Sequence, residues 1–303
     1  MAKSNLKEKK VVKQNNLKVV DDRTIKTTSY SDINLKQWRE YDHIKTDTLW
    51  EFPTRLKEGG HSNEYHGNYI PQIAQQIYER YTKKNDVVLD LFFGSGTSGI
   101  EAINMGRRCI GIELKDDLAE KVSEKFTPKQ LVTDVNIICA DSASEIAKEK
   151  IQARLDIMGE KKAQLLMLHP PYDDIIKFSD KKEDLSNCAT TEEFYDLFEK
   201  VAKNGYDLLE KGRFACLIIG DKYANSQHIP LGFECMARMN KLGFITKAII
   251  IKDMQGNERA KGKTANLWRY RALAGGFYIF KHEYVMVFQK VWLKKPKKGL
   301  LSN

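Results

Sequence analysis

The chain has no apolar run approaching the roughly 20 residues that span a bilayer. Its first ten residues, MAKSNLKEKK, lack the apolar core of a secretion signal. No Cys-x-x-Cys pair occurs, and the five cysteines (Cys109, Cys139, Cys188, Cys216, Cys235) are odd in number and widely spaced. That pattern disfavours a disulfide framework and a cysteine metal site; most of these thiols fall in apolar, strand-like runs and read as buried. There is no internal repeat and no low-complexity linker after residue 50. The expectation is a soluble, cytoplasmic protein of a reducing compartment, with no membrane association and no metal.

What is present is enough for a sizeable core: 303 residues, 42% hydrophobic, 30% charged, with a formal net charge of +9. The excess of positive charge points modestly to a polyanionic partner. It concentrates at the ends, with six lysines against one glutamate in the first twenty residues and Lys294, Lys295, Lys297 and Lys298 in the last ten. Such ends read either as solvated arms or as sequence-independent phosphate contacts.

Apolar periodicity predicts alternating strands and helices. Strands are expected over Val87–Leu91, Cys109–Ile112, Asn136–Ala140, Gln164–Leu168, Phe214–Ile219, Phe244–Ile251 and Tyr284–Phe288. Helices are expected from Pro71, after the glycine turn at residue 94, over Asp116–Phe126, after Ser142, over Thr190–Leu209 and over Leu231–Leu242. The fold class is α/β: a mostly parallel, seven-stranded sheet with helices on both faces. Residues 1–46 are expected to be a basic extended arm, 47–292 one catalytic domain and 293–303 a basic tail.

Two segments carry chemistry. Gly94-Ser95-Gly96-Thr97-Ser98-Gly99 follows the first main strand and opens a helix, so the backbone turns sharply there and approaches a ligand at the helix N-terminus. Glu113, ending the next strand, stands where an acid accepts both ribose hydroxyls. That much fits NAD as well as S-adenosylmethionine. Asp90 favours the latter, because an acid before the turn suits an ammonium or sulfonium charge and repels a pyrophosphate. Asp141, ending the third strand, suits an adenine amino group, or alternatively caps the helix that follows.

The second segment is His169-Pro170-Pro171-Tyr172. Two prolines at a strand's carboxyl end stiffen the loop. An exocyclic amino group is a poor nucleophile, because its lone pair is delocalised into the ring. Acceptors for both its N–H groups, here the Pro170 carbonyl and a His169 ring nitrogen, encourage a pyramidal nitrogen. Tyr172 can stack on a base that has left the helix. If His169 is the acceptor, turnover should fall through a pKa of about 6.5.

Asp90 to Thr97 followed by His169 to Tyr172 resembles the DNA amino-methyltransferases, which make N6-methyladenine or N4-methylcytosine. That family carries Asp, Asn or Ser where this chain has His169. His66-Gly67-Asn68-Tyr69-Ile70-Pro71-Gln72-Ile73 resembles its element for the methionine part of the cofactor. Leu267–Arg271 and Lys281–Phe288 resemble its closing strands. The likeness spans roughly residues 49–290 and implies a Rossmann-like class I methyltransferase fold. It implies S-adenosyl-L-methionine as cofactor, held by Asp90, Phe92, Phe93, Gly94, Ser95, Gly96, Thr97, Glu113, Asp141, Tyr69 and Pro71. The catalytic residues would be His169, Pro170, Pro171 and Tyr172.

DNA is the expected partner, RNA the alternative, for a monomer or homodimer with a cognate restriction endonuclease. Target recognition is expected from about 173–190 and 252–276. In the latter, Lys252, Arg259, Lys261, Lys263, Trp268, Arg269 and Arg271 are candidates for DNA contact. Asp221 and Tyr223 are expected to line the pocket. Competing readings are an RNA guanine-N2 methyltransferase, a glutamine methyltransferase, a catalytically silent nucleic-acid-binding subunit and an NAD-dependent oxidoreductase.

Overall fold

The computed structural model describes residues 28–61, 67–127, 130, 134–254 and 265–291. Ten strands lie among them: β1 Leu49–Trp50, β2 Val87–Asp90, β3 Arg108–Glu113, β4 Val135–Cys139, β5 Ala163–Leu168, β6 Leu209–Ile219, β7 Lys222–Ala224, β8 Gln227–Ile229, β9 Phe244–Asp253 and β10 His282–Lys290. The helices are α1 Pro71–Tyr81, α2 Thr97–Asn104, α3 Asp116–Ser123, α4 Glu145–Ile157, α5 Thr191–Leu208, α6 Leu231–Lys241 and α7 Ala265–Gly275.

Eight strands form one sheet in the order β1-β9-β10-β6-β5-β2-β3-β4. β10 is antiparallel to both neighbours, and the other pairs are parallel. Side chains alternate between the two faces, as a pleated strand requires. Leu89, Leu166, Leu217 and Met286 pack on one side with Ile151, Phe194, Phe198 and Met239 of α4, α5 and α6. Val88, Leu165, Cys216 and Val285 pack on the other with Ile73, Ile77, Ile100 and Val122 of α1, α2 and α3. The expected α/β architecture with both faces covered is therefore present, and no helix among the described residues is long and apolar enough to cross a membrane.

Three differences from the sequence reading have simple causes. The sheet has eight strands rather than seven, because β1 is two residues long, too short to show a period; Trp50 is nonetheless buried against β9. Residues 28–46 are packed rather than extended. The Tyr30 ring meets Phe214 at 4.8 Å and Tyr81 at 6.3 Å, His43 Nε2 lies 2.9 Å from Glu79 Oε1, and Ile44 is buried. Those anchors are too sparse to read as a pattern. Leu267–Arg271, expected as a closing strand, is helical and belongs to α7, whereas β10 covers the other expected closing strand. Residues 1–27 and 292–303, which hold most of both basic ends, lie outside the described residues.

From β2 the chain steps outward through β3 to β4, then returns to β5 on the opposite side of β2. The direction of winding thus reverses between β2 and β5. A crevice opens at the carboxyl ends of such a pair, and both motifs sit there.

Gly111 of β3 pairs with Asp90 of β2, and a Cβ at Gly111 would lie 2.2 Å from Cδ2 of Phe93. The missing side chain is the seat of that ring. Gly111→Ala should cost about 1–3 kcal/mol of folding stability through overpacking, measured by denaturant unfolding. A loss below about 0.5 kcal/mol would mean that the ring is not held there.

Candidate active site

A cavity of about 270 Å³ lies at this crevice. Phe92, Phe93, Gly94 and Thr97 enter it from the glycine turn, Glu113 from the end of β3, Asp141 from beyond β4, and Tyr69 from the segment before α1. His169, Pro170, Pro171 and Tyr172 enter from the end of β5. The two motifs therefore face one space. Ile175, Ile176, Phe178 and Leu185 of the 173–190 segment also line it, and Lys181 ties that segment to the rim through Leu114 O (2.7 Å) and Asp116 Oδ2 (2.6 Å).

The turn is made by left-handed glycines, Gly94 at φ 52° and Gly96 at φ 88°, a conformation that disfavours any side chain. Asp90 organises it from behind. Only 1% exposed, it is absent from the cavity wall; its Oδ1 accepts the Phe92 N–H at 2.9 Å, and its Oδ2 accepts the Ser98 hydroxyl. Ser98 Oγ in turn meets the Tyr69 hydroxyl at 2.5 Å. The expected contact of Asp90 with a ligand cation is thus replaced by a structural role, because the pleat turns Asp90 toward α2. Ser95, Gly96 and Pro71 also lie off the wall, Pro71 being buried in the first turn of α1. Burial pushes the Asp90 carboxyl up to about 6, against the pull of its Ser98 and Phe92 bonds.

The remaining polar groups form a graded set. Glu113 accepts the Gly94 N–H and the Lys115 N–H, both at 2.9 Å, one on each oxygen. Asp141 Oδ1 accepts the Ala143 N–H at 2.8 Å, while Ser144 is the N-cap of α4. Burial raises both carboxyls above their ordinary values. Asn68 Nδ2 is a buried donor on this wall with no partner among the described residues, which is costly unless a ligand acceptor meets it. Two acids and an unmet amide donor on one wall fit S-adenosylmethionine: Glu113 and Asp141 would accept from its ribose and adenine, and Asn68 would donate to its amino-acid carboxylate.

At the aromatic corner, the Tyr172 ring packs on Gly220, where a Cβ would come within 2.9 Å of it. The corner is pinned just beyond, where Asp173, at φ 54°, bonds Lys222 Nζ and Thr191 Oγ1, both at 2.8 Å. His169 stands edge-on to Tyr69 (5.3 Å between rings) and to Tyr172 (5.8 Å). Burial lowers its pKa to about 4, opposed by Glu283 and aided by Lys252. The ring is therefore neutral well below pH 6.5, and the expected fall in turnover near that pH does not follow.

Lys252 corrects a further expectation. It is 2% exposed, and its Nζ lies 2.9 Å from Oε1 of Glu283, so it is not a phosphate contact. Glu283 lines the cavity beside Tyr172, and sequence reading passed over it inside an apolar strand. Asp221 is likewise off the wall: it accepts from the Tyr284 hydroxyl (2.9 Å) and the Gly232 N–H (3.0 Å), while Tyr223 stacks on Phe277. Of the other candidates for DNA contact, Arg269 and Arg271 are exposed on α7 and Trp268 is half-buried beneath the Arg271 guanidinium. Arg259, Lys261 and Lys263 lie outside the described residues.

The DNA methylase family matches residues 4–124 and 163–298, and the chain belongs to that family. It is 36% identical over 100 residues to the Mod subunit of the type III restriction-modification enzyme HindVI of Haemophilus influenzae, covering 32% of this chain and 13% of that protein. It is 50% identical over 99 residues to the type II methyltransferase M.HinfI of the same species, covering 31% of this chain and 27% of that protein. The matched stretches thus span about a quarter or less of these relatives. Among solved structures, TrmN from Thermus thermophilus aligns with 74% of this chain and 50% of its own, at 16% identity and a TM-score of 0.46.

Asp90 yields a stability test. Its folded pKa of about 6 exceeds the ordinary 3.8, so the folded state takes up the proton first as pH falls. Ionised Asp90 therefore costs stability above pH 6, and the cost fades as pH drops toward 4. Asp90→Asn should raise stability by roughly 1–3 kcal/mol at pH 8 and by progressively less below pH 6, in paired denaturant titrations. Equal gains at both ends of the range would mean that the carboxyl titrates normally.

Proposed function

We propose that this chain transfers a methyl group from S-adenosylmethionine to the exocyclic amino group of a DNA base, adenine N6 or cytosine N4. The observation that carries the reading is that Phe93 of the glycine turn and Tyr172 of the proline corner line one cavity. Family membership supports DNA as the substrate class.

The bound cofactor would supply an electrophilic methyl group on a sulfonium leaving group. The chain's own task is then positioning and electrostatics. Tyr172, wedged on Gly220, offers a ring face to an extruded base. The Pro170 carbonyl and the neutral His169 ring accept the two amino hydrogens and leave the nitrogen lone pair free to attack. After transfer the nitrogen is cationic and strongly acidic, and unprotonated His169, already accepting one of its hydrogens, can receive its proton. The exposed Arg269, Tyr270 and Arg271 of α7 suit phosphate and base contacts outside the cavity. The restriction-modification relatives support a cytoplasmic enzyme that works beside a cognate endonuclease, and the proposed form is a monomer or homodimer.

Incubation with labelled S-adenosylmethionine and DNA, RNA or protein, followed by digestion, tests this directly. Label should appear in N6-methyladenine or N4-methylcytosine, and Tyr172→Ala should reduce it by about 100-fold or more. Label confined to RNA or protein would overturn the reading. The low pKa of His169 adds a second expectation. In the Asp90→Asn background with cofactor saturating, kcat should stay level from pH 8 to about 5.5. A decline centred near 6.5 would show that the ring is solvated and titrates normally.

A further inference from the structure

Behind the aromatic corner lies a chain of buried polar groups that neither motif contains. Lys252 of β9 and Glu283 of β10 are cross-strand partners, joined at 2.9 Å. Glu283 Oε2 accepts the Tyr172 hydroxyl at 2.8 Å, and that hydroxyl oxygen stands 3.4 Å from His169 Nε2. A buried ion pair is a poor source of stability in itself, so its place at the back of the cavity calls for another reason.

The proton assignments follow from which groups can donate. Burial opposes ionisation of Glu283, but the Lys252 ammonium, with help from the Tyr172 hydroxyl, outweighs it and holds the carboxyl below its ordinary value. Glu283 is then an acceptor only. Burial, with Glu283 beside it, holds the Tyr172 phenol well above its ordinary range, so it keeps its proton and gives it to Glu283. The Tyr172 oxygen is left as an acceptor, and His169 Nε2 can meet it only as a donor. In a neutral imidazole the bond made by one nitrogen decides what the other offers.

Resting on the amino-methyltransferase reading above, we propose that Lys252 and Glu283 are positioning residues that fix the tautomer of His169. With its proton on Nε2, the ring presents the Nδ1 lone pair to the amino group of the target base. The opposite tautomer would offer that group a second N–H, and the acceptor would vanish without any heavy atom moving.

Long-range ¹H–¹⁵N correlation of the histidine rings in the full chain reads the tautomer without substrate, with the His169 signals assigned by their loss in His169→Asn. Wild type should show Nε2–H with Nδ1 unprotonated. In Glu283→Gln the amide oxygen turns to Lys252, its NH₂ donates to the Tyr172 oxygen, and the phenol O–H, keeping its proton, turns to donate a hydrogen bond to an unprotonated His169 Nε2. The ring should switch to Nδ1–H, and kcat should fall about tenfold or more with little change in cofactor affinity by equilibrium dialysis. Tyr172→Phe keeps the ring on Gly220 and should leave both tautomers populated, which guards against a Glu283→Gln variant that fails to fold. A wild-type Nδ1–H ring overturns the proposal, as does an Nε2–H ring unchanged in Tyr172→Phe. An Nε2–H ring in a protein that methylates no nucleic acid instead overturns the functional reading and leaves the tautomer assignment standing.

Discussion

Parallel pairing of β2 with β5, in register from Val88–Leu165 to Asp90–Met167, brings together two loops that are far apart in sequence. The Leu91 N–H continues the ladder onto Met167 O at 3.3 Å, so both strands end at the same level. Everything in the cavity is referred to that shared edge. The glycine turn leaves β2 on one side of it and the proline corner leaves β5 on the other. A slip of one residue would exchange the faces of Asp90 and Leu91, turning a carboxylate into the apolar core and emptying the seat of Phe93 at Gly111. The register is guarded by core residues that alternate between the two faces over Val87–Leu89 of β2 and Leu165–Leu168 of β5.

The order of elements was legible because each strand is a short apolar run, and both motifs stood at the predicted strand ends. Part of what escaped reading depends on a partner distant along the chain, and the rest lacks a periodic or turn signal. Lys252 sits in a basic, glycine-containing stretch and looks solvated; only pairing with β10 reveals Glu283 opposite it. Asp90 belongs to a motif that suggests ligand contact, yet the pleat directs it to Ser98, eight residues on. α7 exposes Leu267, Tyr270 and Leu273 and has no apolar stripe, so periodicity could not find it. The hairpin β7–β8 turns at Asn225 and Ser226 with φ of 53° and 60°, and Ser226 is a weak signal for such a turn.

The cavity divides its charge by function. Where Glu113 and Asp141 line it, two carboxylates accept backbone N–H groups, which suits hydroxyl and amino donors. Around Tyr172 the wall is aromatic, and the Glu283 carboxylate there is neutralised from behind by Lys252. A dry pocket magnifies both choices, since an uncompensated charge there is strongly penalised.

That division gives a reason for histidine at position 169. An aspartate in its place would stand with Glu283 in the same buried corner, and two carboxylates so placed cannot both ionise cheaply. One would take up a proton, and either the Tyr172 hydroxyl or the target amino group would lose its acceptor. Histidine escapes the conflict because it offers a lone pair while neutral, and burial keeps it so. In the proposed reaction, the absence of Asp at this position and the buried Lys252–Glu283 pair are therefore one feature seen from two sides. With Glu283 fixed by Lys252, position 169 requires a neutral acceptor, and an imidazole held in one tautomer meets that requirement.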